Sequence, residues 1–543
     1  MKLPFTKQLH QRWWEYKNRA RIKRVVNQVS AHEPKNPERQ PILVMNVSSR
    51  ITGLSQNNAF TLLTAWGLRL AGVPVIHFVC QSGMSHCVLG VNRQDYYQPP
   101  PCQKCIAQSQ RLYEGGQIHW FKYKPEALLE AELQKLDISA LSTFEYRDPT
   151  GHFHQPIPLG PLTLPAIRWT LRRHTLGNDE PTRYLMRQFM LSAYSIALEF
   201  CRLIDETHPM AALIFNGVMY PEASARWAAN QRGIRVITHE VGFQRFSAFF
   251  TDGEATAYPV EIPASFELNS EQQARLDDYL EKRFQGKFTM AGIHFWPEMK
   301  GLDVAFLQKA ARYEQIVPVF TNVIYDTSQV HANTLFKHMF DWLENVWEII
   351  QAHPETLFVI RAHPDEMRPG TAKQSRESVH DWVFKKRINE MPNVVFIDSL
   401  EYISSYELIQ RSKFIMVYNS SIGLEAALMG AAVLCAGKAR YTQYPIVVLP
   451  SSGQEFRQIA EQWLDAEKID IPSDFQRNAR RFLYYQLYRI SLPFEEFLEA
   501  GSRPGFVGLR NFSWDQLLPQ NTPSIETIVE GVCKHKPFIL EEN

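Results

Sequence analysis

Residues 413–437 read KFIMVYNSSIGLEAALMGAAVLCAG. Lys413 to Asn419 is an apolar run of strand length that ends on a polar residue. SSIGLEAALMG follows, a short helix closed by Gly430, and Ala431 to Gly437 is a second apolar run. A strand, a helix and a strand at this spacing form a βαβ unit, which requires parallel strands. The same alternation extends upstream. VPVFTNV (Val317–Val323) reads as a strand, Phe336–Ala352 as a helix, and TLFVIRAHP (Thr356–Pro364) and NVVFID (Asn393–Asp398) as strands. Short, β-branched apolar runs bounded by turn residues are the mark of strands buried on both faces.

A second series occupies the N-terminal half. Strands are expected at Ile42–Val47, Val73–Cys80, Met210–Gly217 and Ile234–Glu240, with helices at about Asn58–Ala71 and Pro221–Gly233. The fold class is therefore α/β, with two Rossmann-like domains facing each other across a cleft. The expected order is a basic helical segment (1–35), then a first domain (36–265) with a helical insertion near 125–205. A helical bridge (266–312), a second domain (313–470) and a C-terminal helix and tail (471–543) complete it. A chain of 543 residues is long enough for two cores.

Composition narrows the class. Hydrophobic residues make up 45% and charged residues 21%, a globular balance. Lys plus Arg (58) almost equals Asp plus Glu (57), and no basic stripe lies outside residues 1–24, which argues against a nucleic-acid partner. No apolar run of about 18 residues predicts a membrane-spanning helix. The N-terminus has no apolar core of a secretory signal, so a cytoplasmic location is expected. Lys2, Lys7, Arg12, Lys17, Arg19, Arg21, Lys23 and Arg24 stand there against Glu15 alone, interleaved with Trp13, Trp14 and Tyr16. Such a helix either lies peripherally on an anionic membrane face or packs its aromatics on the body of the protein.

Three features of the second half converge. Arg361-Ala-His363-Pro364 ends a strand, and ligands of open parallel sheets bind beyond the carboxyl ends of strands. A cation and an imidazole there can meet phosphate oxygens; the alternative is a surface Arg and His capping a loop. Asn419-Ser420-Ser421-Ile422-Gly423-Leu424-Glu425 places two hydroxyls at a helix start, whose unpaired N–H groups and positive dipole end suit a phosphate. Glu425, one turn on, can accept from a ribose diol; alternatively it only favours the dipole. The chain order puts these loops, and the one after Asp398, on one edge of one sheet.

His363-Pro364, followed some fifty residues later by Ser420-Ser421, Gly423, Glu425-Ala426, Gly430 and Val433, resembles the capsule polysaccharide biosynthesis family, with members similar to the capsular Kdo transferases. Gly437 and Tyr441 resemble the family's G-x-x-x-Y ending. The resemblance covers about residues 313–445. It implies a GT-B-like fold, metal-independent transfer with no catalytic cofactor, and a nucleotide-sugar donor whose phosphates meet the His and Ser side chains. The acceptor would be a surface (capsular or exo-) polysaccharide, its precursor or a lipid-linked form. Two rivals keep part of this reading: a glycerophosphotransferase of cell-wall polymer synthesis, and a non-catalytic polysaccharide-binding assembly protein.

The donor set is then Arg361, His363, Pro364, Asn419, Ser420, Ser421, Gly423 and Glu425, with His363 also stabilising the leaving phosphate. The base should come from a strand end of the first domain. Glu240 is favoured and His239 is next; neighbours on a strand face opposite sides, so only one of them can serve. Asn216, Glu222 and Asp252 are further candidates, and the small, polar loop Asn46–Arg50 with Gly53 is a candidate contact for acceptor or donor phosphate. Cys80, Cys87, Cys102 and Cys105 have the spacing C-x6-C-x14-C-x2-C, which suits thiolate ligation of a structural zinc or, second, an iron–sulfur cluster; the alternative is four reduced thiols.

Overall fold

The computed structural model describes residues 4–36, 38–46, 51, 53–285, 299–367, 374–501 and 503–542. The strands of the first half are β1 (Ile42–Asn46), β2 (Leu54–Ser55), β3 (Val75–Cys80), β4 (Gln117–Phe121), β5 (Ala211–Phe215), β6 (Arg235–Val241) and β7 (Ser247–Asp252). The second half supplies β8 (Gln315–Phe320), β9 (Thr356–Arg361), β10 (Val394–Ile397), β11 (Ile415–Val417) and β12 (Val433–Cys435). The tail adds β13 (Leu492–Pro493), β14 (Leu498–Ala500) and β15 (Phe506–Leu509).

One sheet runs β13-β7-β6-β5-β1-β3-β4 and the other β10-β9-β8-β11-β12. The second is parallel throughout. In the first, only β7 is reversed, pairing antiparallel with β6 and β13. Counting parallel strands alone in chain order, both sheets follow the order 3-2-1-4-5. Each therefore has a switch point, between β1 and β5 and between β8 and β11, where loops diverge and leave a crevice. Strands β1, β3 and β9 are buried along their whole length, which is why they read as unbroken apolar runs.

The insertion is helical, with helices at Ala127–Leu133, Ile138–Thr143, Leu159–Leu171 and Glu180–Thr207. The last is started by Asp179, whose carboxylate accepts from the Thr182 N–H at 3.0 Å. Its Phe189, Ile196 and Phe200 pack with Leu43 and Phe78 in the core under one face of the first sheet. Helices Ser270–Phe284 and Val304–Ala310 form the described parts of the bridge.

The tail departs from the expected appendage. After helix Asp474–Tyr484 the chain crosses back and inserts β13 against β7. Pro493 is tolerated because the strand is at the edge of the sheet, where a missing N–H costs nothing. β14 and β15 pair with β2 in a small antiparallel sheet. Helix Pro523–Lys534 lies on helix Gln56–Leu70, and Gly67 makes room for it: a Cβ there would stand 2.7 Å from Ile525 Cγ2.

The N-terminal helix, Pro4–His32, buries Ile22, Val25, Val26 and Val29 in the first core. Arg21 pairs with Glu499, and Arg24 bonds Asn511 and the Phe512 carbonyl. Trp13 and Tyr16 remain 57% and 73% exposed. Among the described residues no helix is long and apolar enough to cross a membrane.

Candidate functional site

Beyond the carboxyl ends of β8 and β11, at the switch point of the second sheet, the loops form a cleft lined by His363, Asp365, Asn419, Ser420 and Ser421. Asn419 fixes its floor. Its Oδ1 accepts from Asn322 Nδ2 at 2.7 Å and Gln329 Nε2 at 3.2 Å, and its Nδ2 donates to the Ser328 carbonyl at 3.3 Å. That amide ties the loop after β8 to the end of β11. His363 Nδ1 accepts from the Asp365 N–H at 3.1 Å. The neutral ring therefore carries its proton on Nε2, so it can donate to an anion. Pro364 lines the adjoining pocket with His363, Ser420 and Ser421.

The opposite wall comes from the first half: Trp169, Arg172, Phe243, Thr256 and Pro259. Arg172 closes helix Leu159–Leu171 in the left-handed conformation (φ 60°). Its guanidinium lies 4.0 Å from the Trp169 ring centre and 5.0 Å from that of Tyr325. Burial, then neighbouring Arg93, lowers its pKa to about 10, and its buried Nε has no hydrogen-bond partner among the described residues. Lys438 and Arg440 reach the same cleft after β12. Arg440 stacks between Phe243 (4.7 Å) and Tyr258 (4.6 Å), so a cation of the second half is held by aromatics of the first. Glu254 joins the halves by pairing with Arg226 and His331.

Three expected donor residues do other work. Arg361 is buried and donates to the carbonyls of Asp398 (3.1 Å), Glu401 and Ile403 (2.6 and 3.3 Å). Its charge holds the loop after β10 in place of a phosphate. Gly423 serves packing: a Cβ there would stand 2.2 Å from the hydroxyl of Tyr441, which donates to the Ser420 carbonyl at 2.9 Å. Glu425 is buried with both oxygens engaged, one by Arg283 Nη2 at 2.6 Å and the other by the Tyr406 hydroxyl at 2.5 Å. A ribose would have to displace one of them.

A second pocket opens at the switch point of the first sheet, lined by Asn46, Thr61, Asn216, Glu222 and Glu240. Trp169 lines both this pocket and the cleft. Glu240 Oε2 accepts from Asn216 Nδ2 at 2.8 Å and its Oε1 from the Val241 N–H at 2.8 Å, which fixes the carboxylate. Asn216 turns the chain at φ 61°, a conformation that Asn tolerates better than most residues. His239 is ruled out as the base. It has no solvent-exposed surface, its Nε2 lies 2.8 Å from Thr61 Oγ1, and burial lowers its pKa to about 3. Asp252 is not in a loop; it ends β7 and pairs with Arg235 at 2.7 Å. Residues 47–50 of the loop after β1 lie outside the described residues.

Glu222 begins helix Glu222–Gln231, and burial pushes its carboxyl up to about 8. Its folded pKa thus exceeds its ordinary value of 4.5. Between those limits the folded chain holds a proton that the unfolded chain has released. The stability this gives is complete at low pH and is lost as pH rises through that window. Glu222→Gln, neutral throughout, is expected to match the wild type near pH 5 and to exceed it near pH 8, by up to a few kcal/mol in denaturant unfolding. Equal stability of the two proteins at both pH values would show that Glu222 ionises normally.

The four expected ligand cysteines line one small, otherwise apolar cavity with Met84, Leu89, Pro100 and Ile106. None of the seven cysteines, all described, is in a disulfide. Among the described residues no three His, Cys, Asp or Glu groups lie close enough to hold one metal ion.

Sequence reasoning missed the cations Arg172, Arg283, Lys438 and Arg440. The available signal was weak: Trp169 and Arg172 stand three apart on one helix, and Arg440 precedes Tyr441.

The chain is similar in structure to two Thermosulfurimonas dismutans KpsC proteins. To the beta Kdo 2,4 transferase it is 13% identical, over 55% of this chain and 84% of that one, with a TM-score of 0.34. To the beta Kdo 2,7 transferase it is 15% identical, over 62% and 89%, with a TM-score of 0.30. The Neisseria meningitidis UDP-GlcNAc 2-epimerase bound to UDP-GlcNAc is also similar, at 11% identity, 81% and 97% coverage and a TM-score of 0.23. No curated protein matches the sequence. Residues 297–446 match the family model described as "Capsule polysaccharide biosynthesis protein". That segment carries the second sheet and the His363 and Ser420–Ser421 edge of the cleft.

Proposed function

We propose that this protein is a metal-independent GT-B glycosyltransferase that moves a sugar from a nucleotide-sugar donor to a surface polysaccharide or its precursor. The observation that carries the reading is the cleft itself. It lies at a switch point of a parallel sheet, has a family signature on one wall, and gathers His363, Arg172, Lys438 and Arg440 from both halves around one space. Three cations and an imidazole donor suit a leaving nucleoside phosphate. The Ser420 and Ser421 hydroxyls and the His363 Nε2–H donate to its oxygens, and Arg172 lies across the cleft from them.

The acceptor occupies the pocket at β5 and β6. Glu240, oriented by Asn216, takes the proton of the attacking hydroxyl. Glu222, protonated near neutral pH, is suited to donate a hydrogen bond to another acceptor oxygen. A lipid-linked acceptor would bring the protein to the cytoplasmic face of a membrane. Exposed Trp13, Tyr16, Lys17, Arg19 and Lys23 form a basic, aromatic face on the first helix suited to that surface.

The test is a thermal-shift screen with CMP, UDP, GDP, CDP and their sugars, beside His363→Ala. One nucleotide is expected to raise the wild-type Tm, by mass action on the folded state. The variant should lose most of that rise, because it lacks a donor to the phosphate. Stabilisation by CDP-glycerol and by no nucleotide sugar would replace this reading with polyol-phosphate transfer. No shift with any ligand, with acceptor sugar present, would favour the assembly protein.

A further inference from the structure

Four cysteines from three chain segments surround a single cavity beside the acceptor pocket. Cys80 is the last residue of β3, Cys87 lies in the loop that follows, and Cys102 and Cys105 lie in the first turn of helix Cys102–Leu112. The rest of the lining is mainly Met, Leu, Ile and Pro. Such a wall offers thiols to a soft metal and little to a polar ligand. Cys87, Met84 and Leu89 line the acceptor pocket as well, so the cavity backs onto it.

The sulfurs are prepared for negative charge. The Gly83 N–H donates to Cys80 Sγ at 3.1 Å. The Gly90 N–H donates to the Cys87 carbonyl at 3.1 Å and closes the turn that carries Cys87. Gly90 allows this approach, because a Cβ there would stand 2.9 Å from Cys87 Sγ and 2.8 Å from Pro100 Cβ. Backbone donors to ligating sulfurs are a regular part of iron–sulfur sites. A coordinated metal removes the thiol proton outright.

The spacing of the thiols selects the occupant. One tetrahedral zinc, with Zn–S near 2.3 Å, needs its sulfurs within about 4 Å of one another. Among the described residues no three ligand groups are placed to hold one metal ion. The four cysteines line one cavity instead, which suits a polynuclear centre with an iron at each corner.

We propose that Cys80, Cys87, Cys102 and Cys105 ligate one [4Fe–4S] cluster, which braces the wall of the acceptor pocket. A preformed cluster exchanges its carrier ligands for these thiolates. Four S–H protons leave to solvent, four Fe–S bonds replace those to the carrier, and no electron changes hands. The proposal does not depend on the glycosyltransferase reading.

The test uses the full chain, expressed with added iron and purified without oxygen. Iron, zinc and acid-labile sulfide are measured per chain beside the visible spectrum. About four iron and four sulfide are expected, with a broad visible absorption that dithionite bleaches. Cys102→Ser/Cys105→Ser should lose iron, sulfide and colour, whereas Cys435→Ser, in β12, should keep them. The wild-type stoichiometry stands even if a variant fails to fold. One zinc per chain without sulfide would overturn the proposal. So would a metal-free chain whose thiols all react with a thiol reagent after anaerobic unfolding.

Discussion

Glu240→Gln is expected to lower kcat by about 10²–10⁴-fold, the usual contribution of a positioned general base. The amide keeps the shape and the hydrogen bond from Val241, but it cannot take a proton. Because Glu240 lies in the acceptor pocket and not among the donor loops, the nucleotide-induced rise in Tm should persist. That separation makes the measurement decisive. Loss of turnover with donor binding retained assigns the proton transfer to Glu240. Loss of both would mean that the substitution disturbed Asn216 and the end of β5. Full turnover would move the base elsewhere, with Glu222 the first alternative. His239 is not available, being sealed from solvent between Thr61 and Phe250.

The second large effect concerns stability. Arg283→Met should cost about 3–5 kcal/mol, because it leaves the Glu425 carboxylate buried without its cation. The pair is well shielded, with side chains 15% and 8% exposed. Burial would lower the Arg283 pKa, but Glu425, then Tyr279 and Tyr406, outweigh it and hold the guanidinium well above its ordinary value. The reciprocal Glu425→Leu is expected to hurt as well, and the double variant should be more stable than the sum of the singles implies, since neither charge is then stranded. Urea unfolding of the three proteins measures that coupling; additive losses would show that Arg283 and Glu425 stabilise the protein independently. The pair also joins the bridge helix Ser270–Phe284 to the helix after Ser421, so nucleotide binding by the single variants should fall with stability.

The parallel strands were legible because burial on both faces demands unbroken apolar runs, as in Leu357–Ile360 and Ile415–Val417. Loops at their carboxyl ends then marked His363 and Ser420–Ser421 without any structure. Strands at the margins of the first sheet were not legible. β4 contains Gln117, His119 and a half-buried Trp120, β7 is an antiparallel return, and β13 is two residues long. The cleft cations were hidden for a different reason. Arg172, Arg283, Lys438 and Arg440 come from three distant segments, and only the closing of the two halves brings them together. Arg361, the one cation that local pattern selected, has its charge spent on three carbonyls. Local pattern also could not tell that Gly423 is small for the sake of Tyr441, or that Glu425 already has partners.

The return of the chain at β13 decides where this protein can be cut. A fragment ending near residue 470, at the boundary composition suggests, would contain both nucleotide-side and acceptor-side loops yet lack β13, β14, β15 and the helix over Gly67. The edge of β7 and the apolar face of helix Gln56–Leu70 would then be bare, a template for aggregation. The reverse fragment, the second half alone, would need helix Asp474–Tyr484 but not the segment after it, because Ala479 and Phe482 share a core with Leu424 and Val433. Expression of separate halves should therefore keep residues 490–542 with the first, joined by a short linker in place of the second, so that the excised half becomes an insertion removed from a continuous host.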